Sequence, residues 1–220
     1  MNTKELILQE ALKQFSQKGF DGTSMSDIAG PLGISKAALY KHFESKQQIF
    51  DEIIAQSEVK YKDFFEKLSV HFPKSDEIEV NTVDVDVYSD ISSEGLCKKV
   101  LTFVRFSMRD EYSRQVRRML TISQFQSREL GKMYTRRYVE AMLGYDEKLF
   151  EQLIKARVMK KGNPKVLAAM FYAPVIMYMG IWDREPERAK ECETAIKNHV
   201  EQFFLMTSRR ENYSDEQACT

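Results

Sequence analysis

A stretch of thirteen residues near the N-terminus, ISKAALYKHFESK (34–46), combines lysines, a tyrosine and a histidine with small residues. An α-helix fits the major groove of B-DNA only if small residues allow close approach and other side chains supply donors for bases and phosphates. The solvated face of a helical bundle would use the same residue types, so composition alone leaves both interpretations open. The side chains that could meet DNA are Lys36, Ala37, Ala38, Tyr40, Lys41 and His42.

Three short helices must position this surface. Apolar residues at helical spacing predict a first helix over residues 3–18. Ser24 and Ser35 are suitable N-caps for a second and a third helix, and Gly33 supplies the turn between them. Leu39 would face the core from the third helix. Two short helices joined by a glycine-containing turn predict a helix-turn-helix motif.

Two flanking positions are further candidates for contact with the DNA backbone. Thr23 and Ser24 stand where the second helix begins, and free N–H groups at a helix start can bind phosphate. Lys46, at the start of a fourth helix, could reach a flanking phosphate. The candidate DNA-binding residues are therefore Thr23, Ser24, Ser35, Lys36, Ala37, Ala38, Tyr40, Lys41, His42 and Lys46.

The segment TSMSDIAGPLGISKAALYKHFESKQQIF resembles the N-terminal domain of the TetR family of bacterial transcriptional repressors. It follows the family spacing I-A-x-x-x-G-(V/I)-S-x-x-x-(L/I)-Y-x-(H/Y)-F-x-(S/D)-K, and the upstream helix has the ending A-x-x-x-F-x-x-x-G-(F/Y)-x-x-T. The resemblance covers about the first 55 residues. One departure is Gly30-Pro31, where the family usually has polar or charged residues.

The resemblance implies roles for individual residues. Lys36, Ala37 and Ala38 match positions that approach bases. Tyr40 and His42 match positions that commonly touch phosphates. Thr23 and Lys46 match positions that contact the DNA backbone. Because positions 37 and 38 are alanines, we expect base readout to lean on thymine methyl contacts and on DNA shape.

The rest of the chain is predicted to be helical, so we expect an all-α protein. Residues 1–50 would form the helix-turn-helix domain, and the resemblance implies that 51–208 bind an effector and dimerise through the last two helices. Within them, 75–94 carry seven acidic and no basic residues and predict a mobile acidic loop. Residues 209–220 predict a flexible tail. Dimer-interface candidates are Ile181, Trp182, Ile196, Val200, Phe203 and Phe204.

Methionines and aromatic residues in the larger domain could line an adaptable apolar pocket, although for any one of them a place in the packed core is the simpler interpretation. Arginines between Arg105 and Arg118 could hold an anionic group of the ligand, or could be surface charges paired with acids. The pocket candidates are Phe65, Phe103, Phe106, Met119, Phe125, Tyr134, Tyr138, Met142, Met170, Tyr172, Met177 and Tyr178.

Bulk properties restrict the class of protein. The formal net charge is zero, so a DNA-binding surface must rely on local charges. Three widely spaced cysteines fit a reducing cytoplasm, and the charged N-terminus is no signal peptide. The apolar run 166–182 is interrupted by Pro174 and indicates a buried helix rather than a membrane span. We expect a cytoplasmic protein without a membrane partner.

Chemistry at a catalytic or metal centre has little support in the sequence. His71 and His199 are isolated, and no His, Cys, Asp or Glu cluster has metal-ligand spacing. Nucleophile elbows, phosphate-binding glycine loops and HExxH motifs are also missing from the sequence. We therefore expect no metal, no cofactor and no enzymatic activity.

Three functions remain, in this order. The first is a homodimeric repressor that leaves a palindromic DNA operator when a small, partly hydrophobic molecule binds its larger domain. The second is a DNA-binding regulator controlled by a protein partner, with the acidic 75–94 segment as a candidate docking site. The third, with least support, is an enzyme on a helical scaffold.

Overall fold

A computed structural model describes residues 2–68, 80 and 82–209, and it confirms the predicted all-α class. Within these ranges the only extended pairing is an isolated bridge between Met159 and Ser208. A π-helical segment, Arg136–Glu140, follows α8, and a 3-10 turn, Pro186–Arg188, precedes α11. The helices are α1 (Thr3–Lys18), α2 (Met25–Ala29), α3 (Lys36–Tyr40), α4 (Lys46–Lys67), α5 (Thr82–Ser89), α6 (Ser93–Arg109), α7 (Glu111–Ser123), α8 (Arg128–Thr135), α9 (Ala141–Lys155), α10 (Pro164–Arg184) and α11 (Ala189–Thr207).

The helices form two compact units. The first unit comprises residues 1–67 and 105–140, and the second comprises residues 68–104 and 141–220. Helix α6 therefore contributes its last turn to the first unit and the rest to the second. The functional division of the chain at residue 50, expected from the sequence, is a different partition and stays a prediction.

Helix α1 begins and ends at local signals. The Asn2 side chain accepts the Glu5 N–H at 2.9 Å, and the Glu5 carboxylate accepts the Asn2 N–H at 3.0 Å, which together form a capping box. The helix ends at Gly19, whose φ of +77° suits a residue without Cβ. Its inner face is Ile7, Leu8, Ala11, Leu12 and Phe15.

The core of the first unit joins α1 to the helix-turn-helix, to α4 and to α7. Phe15, Phe43 and Phe50 are fully buried there, and Met119 and Leu120 enter the same cluster from α7. Burial of large apolar side chains is the main favourable contribution to folding. This cluster therefore holds α2 and α3 in place within the first unit.

In the second unit, α10 packs against α9 and α11. The Asn163 side chain caps α10 by accepting the N–H groups of Lys165 and Val166, and Pro164 occupies its first turn, as expected for this residue pair. Helix α10 buries one face only. Its length and apolar composition would allow it to cross a membrane, and 28% of that window is buried. Its buried residues are Ala168, Tyr172, Val175, Met179 and Trp182.

The acidic segment differs from the predicted mobile loop. Residues 82–89 form α5, and α6 already begins at Ser93, so the loop prediction is wrong for both stretches. The alternating V-D-V-D-V pattern suggested either a strand or a loop, whereas in α5 every fourth residue shares a face and Asp84 lies buried. Residues 75–79 and 81 of the predicted loop, and 210–220 of the predicted tail, lie outside the described residues.

Candidate nucleic-acid interface

Helix α3 presents an outer face that other residues of the first unit leave open. Lys36, Ala37, Tyr40, Lys41 and His42 are exposed, and 49% of Tyr40 is accessible. Ala38, which the sequence suggested could be shared between core and surface, is half-buried. The structure therefore brings the six central residues of the predicted surface together on one short helix and the turn after it.

Buried residues and a tight turn hold α3 in place. Leu39 and Phe43 are fully buried, and the N–H groups of His42 and Phe43 both donate to the Leu39 carbonyl. The exposed Ser35 caps the helix by accepting the Ala38 N–H at 3.1 Å. Before it, Gly33 adopts φ +66°, a left-handed conformation that favours glycine. Local sequence signals thus account for the position and direction of α3.

The structure places Thr23 in the interior rather than at the surface. Its side chain is 1% exposed, and its hydroxyl donates to the Gly19 carbonyl at 2.9 Å. The Thr23 side chain therefore has no surface for a phosphate, and the Thr23 N–H donates to the Phe20 carbonyl at 3.3 Å; the contact through N–H groups at the start of α2 stays a prediction.

Ser24 is exposed but already bonded within the cap of α2. Its hydroxyl accepts the Asp27 N–H, and the Asp27 carboxylate accepts both the hydroxyl and the N–H of Ser24. The Ser24 hydroxyl and N–H, together with Lys18, lower the pKa of Asp27 to about 2. The carboxylate therefore occupies the positive end of α2 that the sequence offered to a phosphate.

Lys46 also has a different place from the one predicted. Its ammonium group donates to the carbonyls of Phe20 at 2.7 Å and Thr23 at 2.8 Å, and it lies 4.3 Å from the centre of the Phe20 ring. A lysine with these partners braces the turn between α1 and α2. In the structure the ammonium is half-buried and bonded to the protein, and the contact with a flanking phosphate stays a prediction.

Two residues that the sequence interpretation missed support the same turn. The Ser123 hydroxyl accepts the Phe20 N–H at 3.0 Å, and the Gln126 side chain accepts the Asp21 N–H and donates to the Lys18 carbonyl. A Cβ on Gly19 would lie 2.4 Å from the Gln126 Oε1. These partners are about a hundred residues apart in sequence, so no local pattern could have signalled them.

The predicted pocket residues are divided between the two units. Phe65, Phe106, Met119, Phe125, Tyr134 and Tyr138 belong to the first unit, and Phe103, Met142, Met170, Tyr172, Met177 and Tyr178 belong to the second. Phe125 is 88% exposed, and Met170 and Met177 are about half exposed, so these three lie on the surface. Met119 is fully buried in the core of the first unit. The pocket as assembled from sequence stays a prediction.

The arginines of the 105–118 segment are also dispersed. Arg105 and Arg109 are exposed, and Arg114 pairs with Glu111. Arg117 is buried and donates to the Ser107 carbonyl. These placements fit the interpretation of paired or structural charges for Arg114 and Arg117.

Most of the predicted dimer-interface residues lie inside the single chain. Ile196 and Val200 are fully buried, and Trp182 and Phe203 are nearly so, whereas Ile181 and Phe204 are half-buried. The four buried residues have almost no surface to offer a second subunit. The large apolar residues that these two helices expose are Val166, Met170, Met177, Leu205 and Met206.

The part of the chain that the structure describes holds no group of three or more His, Cys, Asp or Glu side chains arranged for a metal ion. Cys97 and Cys192 are free, buried thiols, and burial raises the pKa of each. A buried thiol with a raised pKa is a poor nucleophile, so neither cysteine is set up for covalent chemistry.

Comparison with curated proteins gives matches to the N-terminal helices. The family model described as "Bacterial regulatory proteins, tetR family" matches residues 7–53. The biofilm operon icaADBC HTH-type negative transcriptional regulator IcaR of Staphylococcus aureus is 45% identical over 51 residues, which are 23% of this chain and 27% of that protein. IcaR of Staphylococcus epidermidis is 43% identical over 47 residues, 21% of this chain and 25% of the relative. The matches span about a quarter of these relatives.

Solved structures resemble the chain over nearly its whole length. A TetR family transcriptional regulator from Pseudomonas syringae has a TM-score of 0.63 at 18% identity, covering 94% of this chain and 98% of that one. The SmeT–triclosan complex has a TM-score of 0.65 at 17% identity, covering 95% and 93%. SmeT is the repressor of a multidrug efflux pump of Stenotrophomonas maltophilia. Through residues 7–53 the chain therefore carries the N-terminal domain of the tetR family of bacterial regulatory proteins, and its fold is that of solved TetR-family regulators.

Proposed function

We propose that the chain is a transcriptional regulator that binds a DNA operator through α3. The open outer face of this helix carries the proposal: two lysines, a tyrosine and a histidine surround two alanines, while Leu39 and Phe43 fix the helix from behind. Cationic donors contact phosphates and small residues admit the helix to the major groove. Thr23 and Lys46 then act indirectly, by bracing the turn before α2, and we do not count them among the contacts.

The regulator acts as a homodimer in this proposal. Helices α10 and α11 expose Val166, Met170, Met177, Leu205 and Met206 although their opposite faces are buried. A twofold interface uses the same patch on both subunits, so one apolar face on each chain is sufficient. A twofold dimer presents its two recognition helices about 34–36 Å apart, which matches successive major grooves of a palindromic site.

Repression released by a small, partly hydrophobic molecule is the mode of action we propose. The matched curated relatives are negative transcriptional regulators by name, and SmeT, which has the same fold, was solved with triclosan. An effector releases the operator only if it binds one conformation more tightly than the other, by a few kcal/mol. We place this regulator, which is not an enzyme, in the cytoplasm, where its buried free thiols remain reduced.

Selection of genomic fragments by the purified protein tests the proposal directly. We expect enrichment of a palindromic sequence, whose affinity is then measured by fluorescence anisotropy at several salt concentrations. Replacing Lys36 or Lys41 by glutamine should weaken binding and lower the slope of log affinity against log salt by about 1 for each lost phosphate contact.

Lys67→Gln is the matched control, since this lysine is exposed in the last turn of α4 and takes no part in the α3 surface. It should leave the affinity and the salt slope unchanged. Failure to enrich any specific sequence, or equal effects of all three substitutions, would contradict the proposed role of α3.

A further inference from the structure

A group of carboxyl and phenol side chains lies in the second unit, where α5 packs against α9. Helix α5 contributes Asp84 and Tyr88, which are four residues apart and share a face. Helix α9 contributes Tyr145 and Asp146. Asp84, Tyr145 and Asp146 are 1%, 4% and 6% exposed. We call these four residues the acid–tyrosine cluster.

Two atoms of the acid–tyrosine cluster are buried without a hydrogen bond. Within the described part of the chain, neither the Tyr145 hydroxyl nor the Asp146 Oδ2 makes a hydrogen bond of good geometry, although the Asp84 carboxyl interacts with the Tyr145 hydroxyl. The great majority of buried polar atoms are bonded, and an exception indicates strain, function or an additional bound molecule. Here both atoms belong to neighbouring residues of one helix and lie beside a second buried acid.

All four ionisable side chains of the acid–tyrosine cluster are acids, so any charge that they carry is negative. Burial raises the pKa of Asp146 to about 8. Burial, followed by the charges of Asp146 and Asp84, raises the pKa of Tyr88 above its usual range, and burial together with Tyr88, Asp84 and Asp146 does the same for Tyr145. Among the residues described, no cation contributes to any of these three shifts. The four groups thus share a buried, electronegative environment.

We propose that the acid–tyrosine cluster binds the head group of the effector, and that the effector is an organic ammonium ion. The ammonium N–H groups donate to the Asp146 Oδ2, which is buried without a partner, and to the oxygen of the neighbouring Tyr145. Charge-assisted hydrogen bonds of this kind are stronger than neutral ones, and the phenol rings offer cation–π contacts to the same charge. This inference rests on the proposed function, because it assigns a chemical class to the regulating molecule.

Other occupants fit the cluster less well. An anion would have no cationic partner among the four groups of the cluster. A divalent metal ion prefers several carboxylate or imidazole ligands, and the described residues offer no such group. A neutral alcohol or an internal water could donate one hydrogen bond to Asp146 but, unlike an ammonium ion, would not stabilise the ionised form of this carboxyl, which burial disfavours. The ammonium ion supplies both the donors and the charge.

Binding of matched probes to the full chain tests this inference. The probes are benzylamine, phenethylamine and 4-phenylbutylamine, each compared by calorimetry and thermal shift with the alcohol that has OH in place of NH₃⁺. We expect at least one amine to bind and to raise the melting temperature, with an affinity at least about tenfold above that of its alcohol, since the alcohol lacks the charge. Benzoate and 4-phenylbutyrate should not bind.

Substitutions then tie the probe to the cluster. Asp146→Asn keeps the shape of the side chain and removes its charge, so it should lower the amine affinity at least about tenfold. Tyr145→Phe removes only a hydroxyl and should have a smaller effect, and it serves as the second variant if Asp146→Asn does not fold. Asp86→Asn changes an exposed acid on the same helix, α5, and should leave the affinity unchanged.

Each outcome decides one of the two proposals. If no amine of the series binds, if amine and alcohol bind equally, or if Asp146→Asn and Tyr145→Phe bind amine as the parent does, the acid–tyrosine cluster is not an ammonium site. If the same preparation still selects a specific DNA sequence, the regulator proposal stands without it. Conversely, the protein could bind amines in a way that depends on Asp146 and yet select no DNA sequence. That result would support the ammonium site and contradict the proposal that the chain is a DNA-binding regulator.

Discussion

Two backbone carbonyls accept hydrogen bonds from the ammonium group of Lys46, and this explains why a lysine begins α4. The Phe20 and Thr23 carbonyls accept from it, and the Phe20 ring lies beneath its charge. A hydrogen bond to a charged group contributes about 1.5–3 kcal/mol to stability when its partner is partly buried. Thus the residue supports the turn between α1 and α2, which precedes the two short helices of the proposed DNA-binding motif.

We predict that Lys46→Met lowers the free energy of unfolding by about 2 kcal/mol, because the apolar stem is kept while two carbonyls lose their donor. Urea denaturation followed by circular dichroism measures the change. Lys41→Met, at an exposed position after α3, should leave the stability unchanged and weaken DNA binding instead. If Lys46→Met behaved like Lys41→Met, with full stability and weaker binding, Lys46 would be a phosphate contact after all.

The buried carboxyl of Asp146 leads to a prediction about how the stability of the fold depends on pH. Its pKa is about 8 in the folded chain, against an ordinary value of 3.8, because burial disfavours the charged form. Between these two values the folded state binds more protons than the unfolded state, so the stability falls as the pH rises from about 4 to about 8 and levels off above. Tyr88, Tyr145 and Asp84 share the same environment and stay unchanged in the test.

We expect Asp146→Asn to flatten this dependence, because asparagine cannot ionise. Denaturation at pH 5, 7 and 9 should give a smaller loss of stability for the variant than for the parent chain, with the largest difference at pH 9. The exposed acid variant Asp86→Asn should retain the slope of the parent chain. Equal slopes for Asp146→Asn and the parent would mean that the buried carboxyl does not carry the pH dependence.

At the scale of the element, we expect α3 to bind DNA through the small size of its alanines as much as through charge. Ala37 is exposed at the helix surface, so Ala37→Leu should leave the fold intact. Extra bulk at a position that must approach base edges should reduce the operator affinity at least about tenfold, corresponding to about 1.4 kcal/mol or more. Anisotropy titration measures the affinity, and a thermal melt confirms folding.

Ala55→Leu is the matched substitution on α4, since Ala55 is also an exposed alanine within a helix of the first unit. We expect it to change neither stability nor DNA affinity. If both leucine variants bound DNA as the parent does, α3 would not enter the groove closely and Lys36 and Lys41 alone would determine the contact.

Local signals predicted the elements that carry the DNA-reading surface. The caps at Ser24 and Ser35 and the turn at Gly33 are short-range features, and the structure has α2 and α3 beginning where they indicate. The roles of Thr23 and Lys46 were not predictable, because they depend on packing against the turn at Phe20. Likewise, the alternation of the V-D-V-D-V segment did not indicate a helix, because α5 packs against α9, a partner about sixty residues away that local periodicity does not encode.

A π-helical segment between α8 and α9 was also beyond prediction from sequence. Residues 127–159 have continuous helical periodicity, and the interruption at Arg136–Glu140 depends on long-range contacts. Arg137 donates from this segment to the Ser57 hydroxyl at 2.5 Å and lies over the Tyr61 ring, both on α4. Such contacts join residues about eighty positions apart, which no local periodicity encodes.

At the scale of the whole molecule, the exposed face of α10 and α11 determines the assembly we propose. Trp182, Ile196, Val200 and Phe203 are buried in their own subunit, so they are unsuitable positions at which to test a dimer. Substituting them would unfold the second unit and reveal nothing about association. Met170 and Met177 are about half exposed on α10 and are seven residues apart, so they lie on the same side of the helix.

We therefore predict that the double substitution Met170→Glu and Met177→Glu converts the dimer into a folded monomer, because two carboxylates from each subunit would be desolvated at the apolar interface. Analytical ultracentrifugation measures the mass, and circular dichroism measures the helix content. Val59→Glu, at an exposed apolar position of α4 in the first unit, should leave the dimer intact. The monomer should lose the tight binding to a palindrome while retaining weak, salt-sensitive binding to a half-site, since each α3 remains unchanged. A double variant that sedimented as a dimer would exclude this face of α10 as the interface, and the two recognition helices would then have to be paired through another surface.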